Sequence, residues 1–357
     1  MTYTRCPAHT DGGRSGRRAD RGGCGASRYP PLTRRSWNLH ARESWAGTLA
    51  AKTDCVVSAV WLGRRMSITM QLATPDSLGE IVEAVAVWQH TGGPVQLHPG
   101  DLGWHWRFGG RELAEAVRVW TRNGQILAVG LVDDGVIRMG IAPGVDEDAA
   151  FAARLLADLS DPGHGVLPDG AGAVEARFGA ALRHLLRRSG WVPDEPWTPL
   201  SRELIEPVED CGLRVEVIEA HNVRDRFVDD RVAVHRAAFA NSTFTVERWR
   251  AMAAAPPYRR ARCLVGYDGD GDAVAAATVW SAGGGRPGLL EPMGVHRDHR
   301  GHGYGRAITV AAAAALQEMG SSSAMVCTPS SNVGGVATYV SAGFQKVPDV
   351  TDFRRTS

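Results

Sequence analysis

From Val295 to Ala307 the chain runs Val-His-Arg-Asp-His-Arg-Gly-His-Gly-Tyr-Gly-Arg-Ala, and these residue types at this spacing can do chemistry. Gly301, Gly303 and Gly305 let the backbone curl tightly and expose successive N–H groups. The alanine-rich helix that follows, closed by Gly320, adds its own unpaired N–H groups and the positive end of its dipole. Such a cradle suits phosphate. No Gly-Lys-Ser/Thr follows, so it is not a Walker loop, and the spacing departs from the dinucleotide fingerprint Gly-x-Gly-x-x-Gly. No metal is expected: the arginines among His296, His299 and His302 oppose a cation. The run Asp268-Gly269-Asp270-Gly271-Asp272 has Ala273 and Val279 where a calcium loop needs glycine and glutamate, and it reads as a hairpin turn between strands at 263–267 and 273–280.

An apolar run from Leu289 must position this loop as a strand ending at Val295, and the helix must carry it away. Twelve residues past Gly320 stands Asn332, then Tyr339 and Gly343-Phe344. Arg300, Gly303 and Gly305 resemble the Arg/Gln-x-x-Gly-x-Gly/Ala signature of the GNAT superfamily of acyl-CoA-dependent N-acyltransferases. Asn332, Tyr339 and Gly343-Phe344 resemble its second block, with Gly335 where alanine is usual and Thr338 where leucine is usual. The resemblance spans Leu213 to Val347. It implies a mixed sheet whose strands ending near Val295 and Thr328 splay apart, with acetyl-CoA as cosubstrate and its pantetheine arm between them. The pyrophosphate would sit on the N–H groups of Arg300, Gly301, His302, Gly303, Tyr304, Gly305 and Arg306, with charge-assisted bonds from the arginine side chains at 300 and 306. The N–H groups around Gly294 and Val295 would polarise the acetyl carbonyl, and Asn332 would cap the helix bearing Tyr339 or touch the pantetheine arm.

The reaction needs a neutral amine and a proton for the leaving thiolate. Amine acceptors have ordinary pKa values of ~8 to ~10.4 and arrive protonated. Glu291 is the candidate base, directly or through water, since residues 291, 293 and 295 of a strand share a face; the competing role is a solvated carboxylate or a structural partner of an arginine. Tyr339 is the candidate acid, its phenol donating to the thiolate, against a purely packing role between helix and sheet.

With 357 residues and a net charge of +1, the chain suits two domains and points to neither nucleic acid nor a membrane surface. No apolar run reaches the ~18 to 20 residues that span a bilayer. Only Lys52 and Lys346 are lysines, against abundant arginine, alanine and glycine, a usage that reflects GC-rich codons. Residues 1–65 hold twelve Lys/Arg against four Asp/Glu and no helical or strand period over most of their length; they read as a disordered leader or as sequence upstream of the natural start at Met66. The six cysteines show no paired spacing, as expected of reduced thiols in a cytoplasm, and Cys327 reads as a small packing residue.

Residues 66–207 read as a first domain, with helices at 77–90, 112–122, 146–159 and 174–188 and a hairpin of 126–132 with 136–141. Its strand-loop-helix carries Asp146, Glu147 and Asp148 where the second domain, 208–357, carries arginines and glycines, and a diphosphate would be repelled there. The element order repeats near 150 residues, so the first domain reads as a degenerate copy. Trp104, His105 and Trp106 line a ligand groove, or the two tryptophans pack on the sheet or at the domain interface. The expected fold is α/β (α+β): two GNAT-like domains, each a mixed, mostly antiparallel sheet flanked by helices. The acceptor is a small-molecule or peptide amine, with Asp225, Asp229 and Asp230 as the acidic face a basic peptide would require; the alternative is a non-catalytic acyl-CoA-binding or sensing protein.

Overall fold

The computed structural model describes residues 67–170, 172–219 and 223–355; the arginine-rich leader lies outside the described residues. The first half runs β1 (Ile68–Leu72), α1 (Leu78–Val87), α2 (Pro99–His105), α3 (Gly110–Ala116), β2 (Val117–Arg122), β3 (Gln125–Asp133), β4 (Val136–Ile141), α4 (Ala149–Ser160), β5 (Gly172–Glu175), α5 (Ala180–Arg188) and β6 (Val192–Glu203). The second runs β7 (Arg214–Ile218), α6 (Asp225–Ala238), α7 (Val246–Ala253), β8 (Ala261–Tyr267), β9 (Ala273–Trp280), β10 (Gly288–Val295), α8 (Tyr304–Glu318), β11 (Ser323–Pro329), α9 (Val333–Ser341), β12 (Gln345–Lys346) and β13 (Val350–Arg355).

Among the described residues the strands form one sheet in the order β1-β2-β3-β4-β5-β13-β6-β11-β10-β9-β8-β7, with β12 also beside β6. Neighbours are antiparallel except β4 with β5 and β10 with β11. Each half therefore builds an antiparallel run and ends it with a parallel strand, flanked by helices. The last strands are exchanged. β6 of the first half pairs with β11, while β13 of the second half lies between β5 and β6. Two sheets are thereby made continuous.

The apolar face of α8, including Ile308, Val310, Ala312 and Leu316, packs on Leu264, Val274 and Leu290 to form the second half's core. Phe151, Leu155 and Leu182 of α4 and α5 cover Ile137, Met139 and Val174 in the first half. At the junction α2 lies directly on Trp280. A Cβ at Gly100 would stand 2.6 Å from Trp280, and one at Gly103 would stand 2.4 Å away, so glycine is needed at both for the helix to seat.

Two expected helices change type. Residues 112–122 divide into the end of α3 and β2, because Val117, Val119 and Thr121 alternate at a strand's period and pair with β3. Residues 174–188 divide at Gly179, whose φ of +67° separates β5 from α5. The central strand β6 contains Pro193, Pro196 and Pro199, residues that argue against a strand in sequence. Proline still offers its carbonyl: Ser330 N–H donates to Pro196 O at 2.9 Å and Val347 N–H to Pro199 O at 2.9 Å. The helices around 77–90 and 146–159, the 126–141 hairpin and every expected element of the second half are present. Among the described residues no helix is long and apolar enough to cross a membrane.

Candidate functional site

β10 and β11 pair only at Gly288 with Ala324 and Leu289 with Met325. Beyond that point β10 stays with β9 while Val326–Pro329 stay with β6, so the two strands part. The register of β10 shifts between Leu290 and Met293, which interrupts the simple alternation expected to align 291, 293 and 295. The shift is held by Trp280, whose Nε1 donates to the Glu291 carbonyl at 2.8 Å.

The glycine loop follows β10 at the end where the two strands have parted. Gly301 and Gly303 have φ of +86° and +83° with open space where a Cβ would stand, so backbone conformation selects glycine there. Gly305 has a different reason: a Cβ would lie 3.0 Å from Thr338 Cγ2, and glycine lets α8 and α9 approach. Gly303 is the N-cap of α8 and no side chain caps the helix. The N–H groups of its first turn, at Tyr304, Gly305 and Arg306, are therefore available to an anion.

The neighbouring arginines are partly committed to helix ends. Arg300 Nη2 donates to Ala238 O at 2.9 Å and Arg297 Nε to Ala237 O at 2.9 Å, at the end of α6. Arg306 Nε donates to Ser341 O at 2.9 Å, at the end of α9. His302 stacks on Tyr304 at 5.9 Å between ring centroids. Among the described residues no group of three His, Cys, Asp or Glu side chains comes together as a metal site.

Asn332 caps α9. Its Oδ1 accepts from Gly335 N at 3.1 Å and its Nδ2 donates to Thr328 Oγ1 at 3.0 Å, tying the helix to β11. A Cβ at 335 would lie 2.4 Å from Asn332 Nδ2, so in this arrangement of the cap glycine fits where alanine would make the Asn332 side chain shift. One helix further, Tyr339 is buried against Phe344, their rings 6.0 Å apart. Burial, and next the charge of Glu291, push its phenol above the ordinary tyrosine value, so it stays protonated and able to donate.

Glu291 lies within a buried polar cluster that spans both halves. Its Oε1 is 3.8 Å from Arg138 Nη1 on β4. Arg138 also pairs with Asp101 of α2 at 2.5 Å and Glu175 of β5 at 3.1 Å. Next to it Arg177 clasps Asp352 of β13 through Nε at 2.8 Å and Nη2 at 2.9 Å. Arg177 also reaches Cys327 Sγ at 3.6 Å. Burial raises the Glu291 carboxyl above its ordinary value; Arg138 opposes the rise and Asp101 adds to it. Burial likewise pushes the Cys327 thiol up to about 12, which keeps it uncharged and suits a packing role.

Trp104 and His105 are buried and Trp106 half-buried. Trp104 packs at the junction, 5.1 Å from Phe244 and 5.5 Å from His235 between ring centroids. Of the helix acids, Asp230 accepts from Tyr267 Oη at 2.7 Å and Asp225 faces Arg250 at 3.3 Å. Arg138, Asp101 and the pair Glu175 and Arg177 carried no local signal: they lie on β4, on α2 and at the end of β5, and only the fold brings them to Glu291.

The first half repeats the geometry with its openings filled. β4 and β5 pair at 136–138 and then part. The freed edge of β4 is taken by its own chain: Leu97 N–H donates to Met139 O at 2.9 Å, and Gln96 Oε1 accepts from Ile141 N at 3.0 Å. The N-terminus of α4 is capped by Asp148, whose Oδ1 accepts from Phe151 N at 2.9 Å. Among the described residues the open edge of Met293–Val295 receives no such backbone bond.

A parted pair of parallel strands, leading through a glycine loop to an uncapped helix, defines an acyl-CoA-dependent acetyltransferase fold. Residues 225–344 match the acetyltransferase (GNAT) family, and the chain carries a GNAT domain there. The chain is similar to a tandem GNAT protein from the clavulanic acid biosynthesis pathway, with 15% identity, a TM-score of 0.52, and 81% of this chain and 98% of that one covered. A GNAT-family acetyltransferase from Colwellia psychrerythraea gives 14% identity and a TM-score of 0.52 over 81% and 99% of the two chains. A GCN5-related N-acetyltransferase from Sphaerobacter thermophilus gives 16% and 0.50 over 81% and 95%. At these identities the likeness is one of fold. No curated protein sequence matches the chain.

Proposed function

We propose that the protein is an N-acetyltransferase that moves an acetyl group from acetyl-CoA to a primary amine of a small molecule or peptide, by direct attack in the cleft of its second half. The observation that carries this reading is the uncapped N-terminus of α8 at the mouth of the parted strands β10 and β11. The N–H groups from Arg300 to Arg306 receive the diphosphate, and the open edge of β10 with Asn332 receives the pantetheine arm. Glu291 takes a proton from the acceptor ammonium, directly or through water. The free amine attacks the thioester carbonyl, polarised by N–H groups around Gly294 and Val295, and a C–N bond forms. The C–S bond breaks, Tyr339 gives its proton to the thiolate, and the second proton that the nitrogen sheds on becoming an amide restores the phenol. The upward shift of Glu291 supports its role, because the carboxyl moves toward the proton affinity of its amine partner; that of Tyr339 keeps the phenol protonated until the thiolate's charge develops.

Residues 66–207 act as a degenerate copy beside the working domain, 208–357. Gln96, Leu97 and Asp148 support this, since they occupy the places that an acyl-CoA would need in the first half. Three unpaired cysteines among the described residues agree with a cytoplasmic protein.

The test is titration of acetyl-CoA into the full chain with Gly303→Asp as control, followed by a panel of primary amines read by release of free thiol. Saturable binding lost in the variant, with turnover on at least one amine, is the expected result. Binding without turnover on any amine would make the protein an acyl-CoA sensor. No binding by a folded chain sinks the acetyltransferase reading.

A further inference from the structure

From the first half the guanidinium of Arg138 reaches the cleft carboxylate of Glu291. That side chain sits on β4, beside the place where β4 and β5 part, and is three-quarters buried. Its own orientation is fixed from two sides. Nη1 meets Asp101 Oδ1 at 2.5 Å and Nε meets Glu175 Oε2 at 3.1 Å. Asp101 is held in turn, its Oδ2 accepting from His98 N at 2.7 Å in the capping box of α2. Glu175 also faces Arg177 at 3.8 Å.

Against this fixed frame Glu291 stands apart. Its Oε1 lies 3.8 Å from Arg138 Nη1, inside ion-pair range and beyond a hydrogen bond. A bidentate pair would consume the carboxylate and hold it ionised far below the range in which a base takes up a proton. At 3.8 Å the cation attracts and orients the carboxylate without a hydrogen bond from Arg138 to its lone pairs.

We propose that Arg138 is a positioning residue for acetyl transfer, contributed by the first half, and that it keeps the cleft carboxylate of Glu291 oriented and available to accept a proton. This rests on Glu291 being the base. The groups that face Glu291 from every packed element set the sign. Arg138 is the attracting cation, with Arg107, beyond α2, a second one. Asp101 and Glu175 are the repelling anions. Tyr339 of α9 and Cys327 of β11 are neutral groups held so by burial. Arg177 and Asp352 form a closed pair behind Glu175, and Asp133 balances Arg107. Without Arg138 the balance around Glu291 tips toward its anionic neighbours and the carboxyl holds its proton.

The test reads Glu291 itself. In the full chain labelled with carboxyl-13C glutamate, the Glu291 resonance is assigned by its absence in Glu291→Gln and titrated in Arg138→Gln, Arg138→Lys and Asp101→Asn. Arg138→Gln is expected to raise the midpoint by about one pH unit or more, from the scale of a charge at this range. Arg138→Lys, with a shorter cation, gives a smaller rise, and Asp101→Asn shifts the midpoint the opposite way. If Arg138→Gln does not fold, the opposed shifts of the other two variants carry the test. The acid limb of kcat/KM, measured with an amine found in the panel, moves in the same directions, while acetyl-CoA affinity stays within about twofold. A midpoint unmoved in folded Arg138 and Asp101 variants overturns the proposal. Full activity and an unchanged acid limb in Glu291→Gln would instead remove the base, and the proposal with it; loss of that limb in Glu291→Gln with no effect of Arg138 removes the positioning role alone.

Discussion

Tyr339, Glu291 and Cys327 share one polar cluster, and each is tuned by burial before any neighbour acts. For Tyr339 burial preserves the proton that the leaving thiolate needs. Tyr339→Phe is expected to lower kcat by about 100-fold or more, the scale of general acid catalysis, and to leave acetyl-CoA affinity within about twofold. Isothermal titration alongside steady-state kinetics separates the two effects. For Cys327 the same burial removes reactivity, because the thiolate is the nucleophile and a thiol pushed up to about 12 supplies almost none of it near neutrality. Iodoacetamide at pH 8 is expected to leave Cys327 unmodified in the native chain, as peptide mass spectrometry would register. Rapid native-state labelling would mean that the cleft is more open, or the thiol more acidic, than its contacts imply.

At the scale of elements, helix ends and glycines decide what each half can hold. The N-terminus of α8 has no side-chain cap, whereas that of α4 is capped by Asp148; under the proposed function the first is open to an anion and the second supplies its own. Gly303→Asp joins a positive φ to a carboxylate at the phosphate cradle, and should reduce acetyl-CoA affinity beyond about 100-fold with a modest change in melting temperature. Gly103→Ala tests a different contact. Its Cβ would meet Trp280 Cζ3 at 2.4 Å, so α2 must lift from β9. A loss of roughly 1–3 kcal/mol, the range for overpacking, is expected in denaturant unfolding. Wild-type stability in that variant would show that the α2 seat is soft.

Across the whole molecule the exchanged strands β6 and β13 make the two halves one folding unit. Neither half can complete its sheet without a strand from the other, and a single cooperative transition, coincident by circular dichroism and tryptophan fluorescence, is expected. Two separated transitions would mean that the exchange contributes little. Acid should weaken this unit through its histidines. His98 Nδ1 accepts from Gly100 N at 3.0 Å while Nε2 donates to Pro287 O at 3.2 Å, so the ring must be neutral, and burial lowers its pKa to about 4. Burial lowers His105 to about 4 and His235 to about 2. A depressed folded value means that stability is fully present above the unfolded value near 6.5 and is lost as pH falls through the folded one, on the order of 3 kcal/mol for His98. Glu291 and Asp352 act oppositely, their raised values favouring the fold at low pH. The melting temperature is expected to fall between pH 6.5 and 4, with the histidine effect larger. A flat profile across that interval would contradict it.

The sequence by itself determined the local geometry of the second half. A glycine required by positive φ, an asparagine whose side chain caps the next turn and an apolar period of two or 3.6 are properties of a few adjacent residues, so the loop, α8 and Asn332 were legible before any fold was known. The first half was less so: β2 read as helix because its valines also fit a helical count, and β6 was hidden by three prolines whose carbonyls, not N–H groups, hold it in the sheet. Tertiary structure decided the rest. Arg138 lies more than 150 residues from Glu291 in the chain, and four strands stand between β4 and β10 in the sheet, so only the packed fold brings the two side chains to 3.8 Å. Burial there comes from elements distant in sequence, and with it the upward shifts of Glu291, Tyr339 and Cys327.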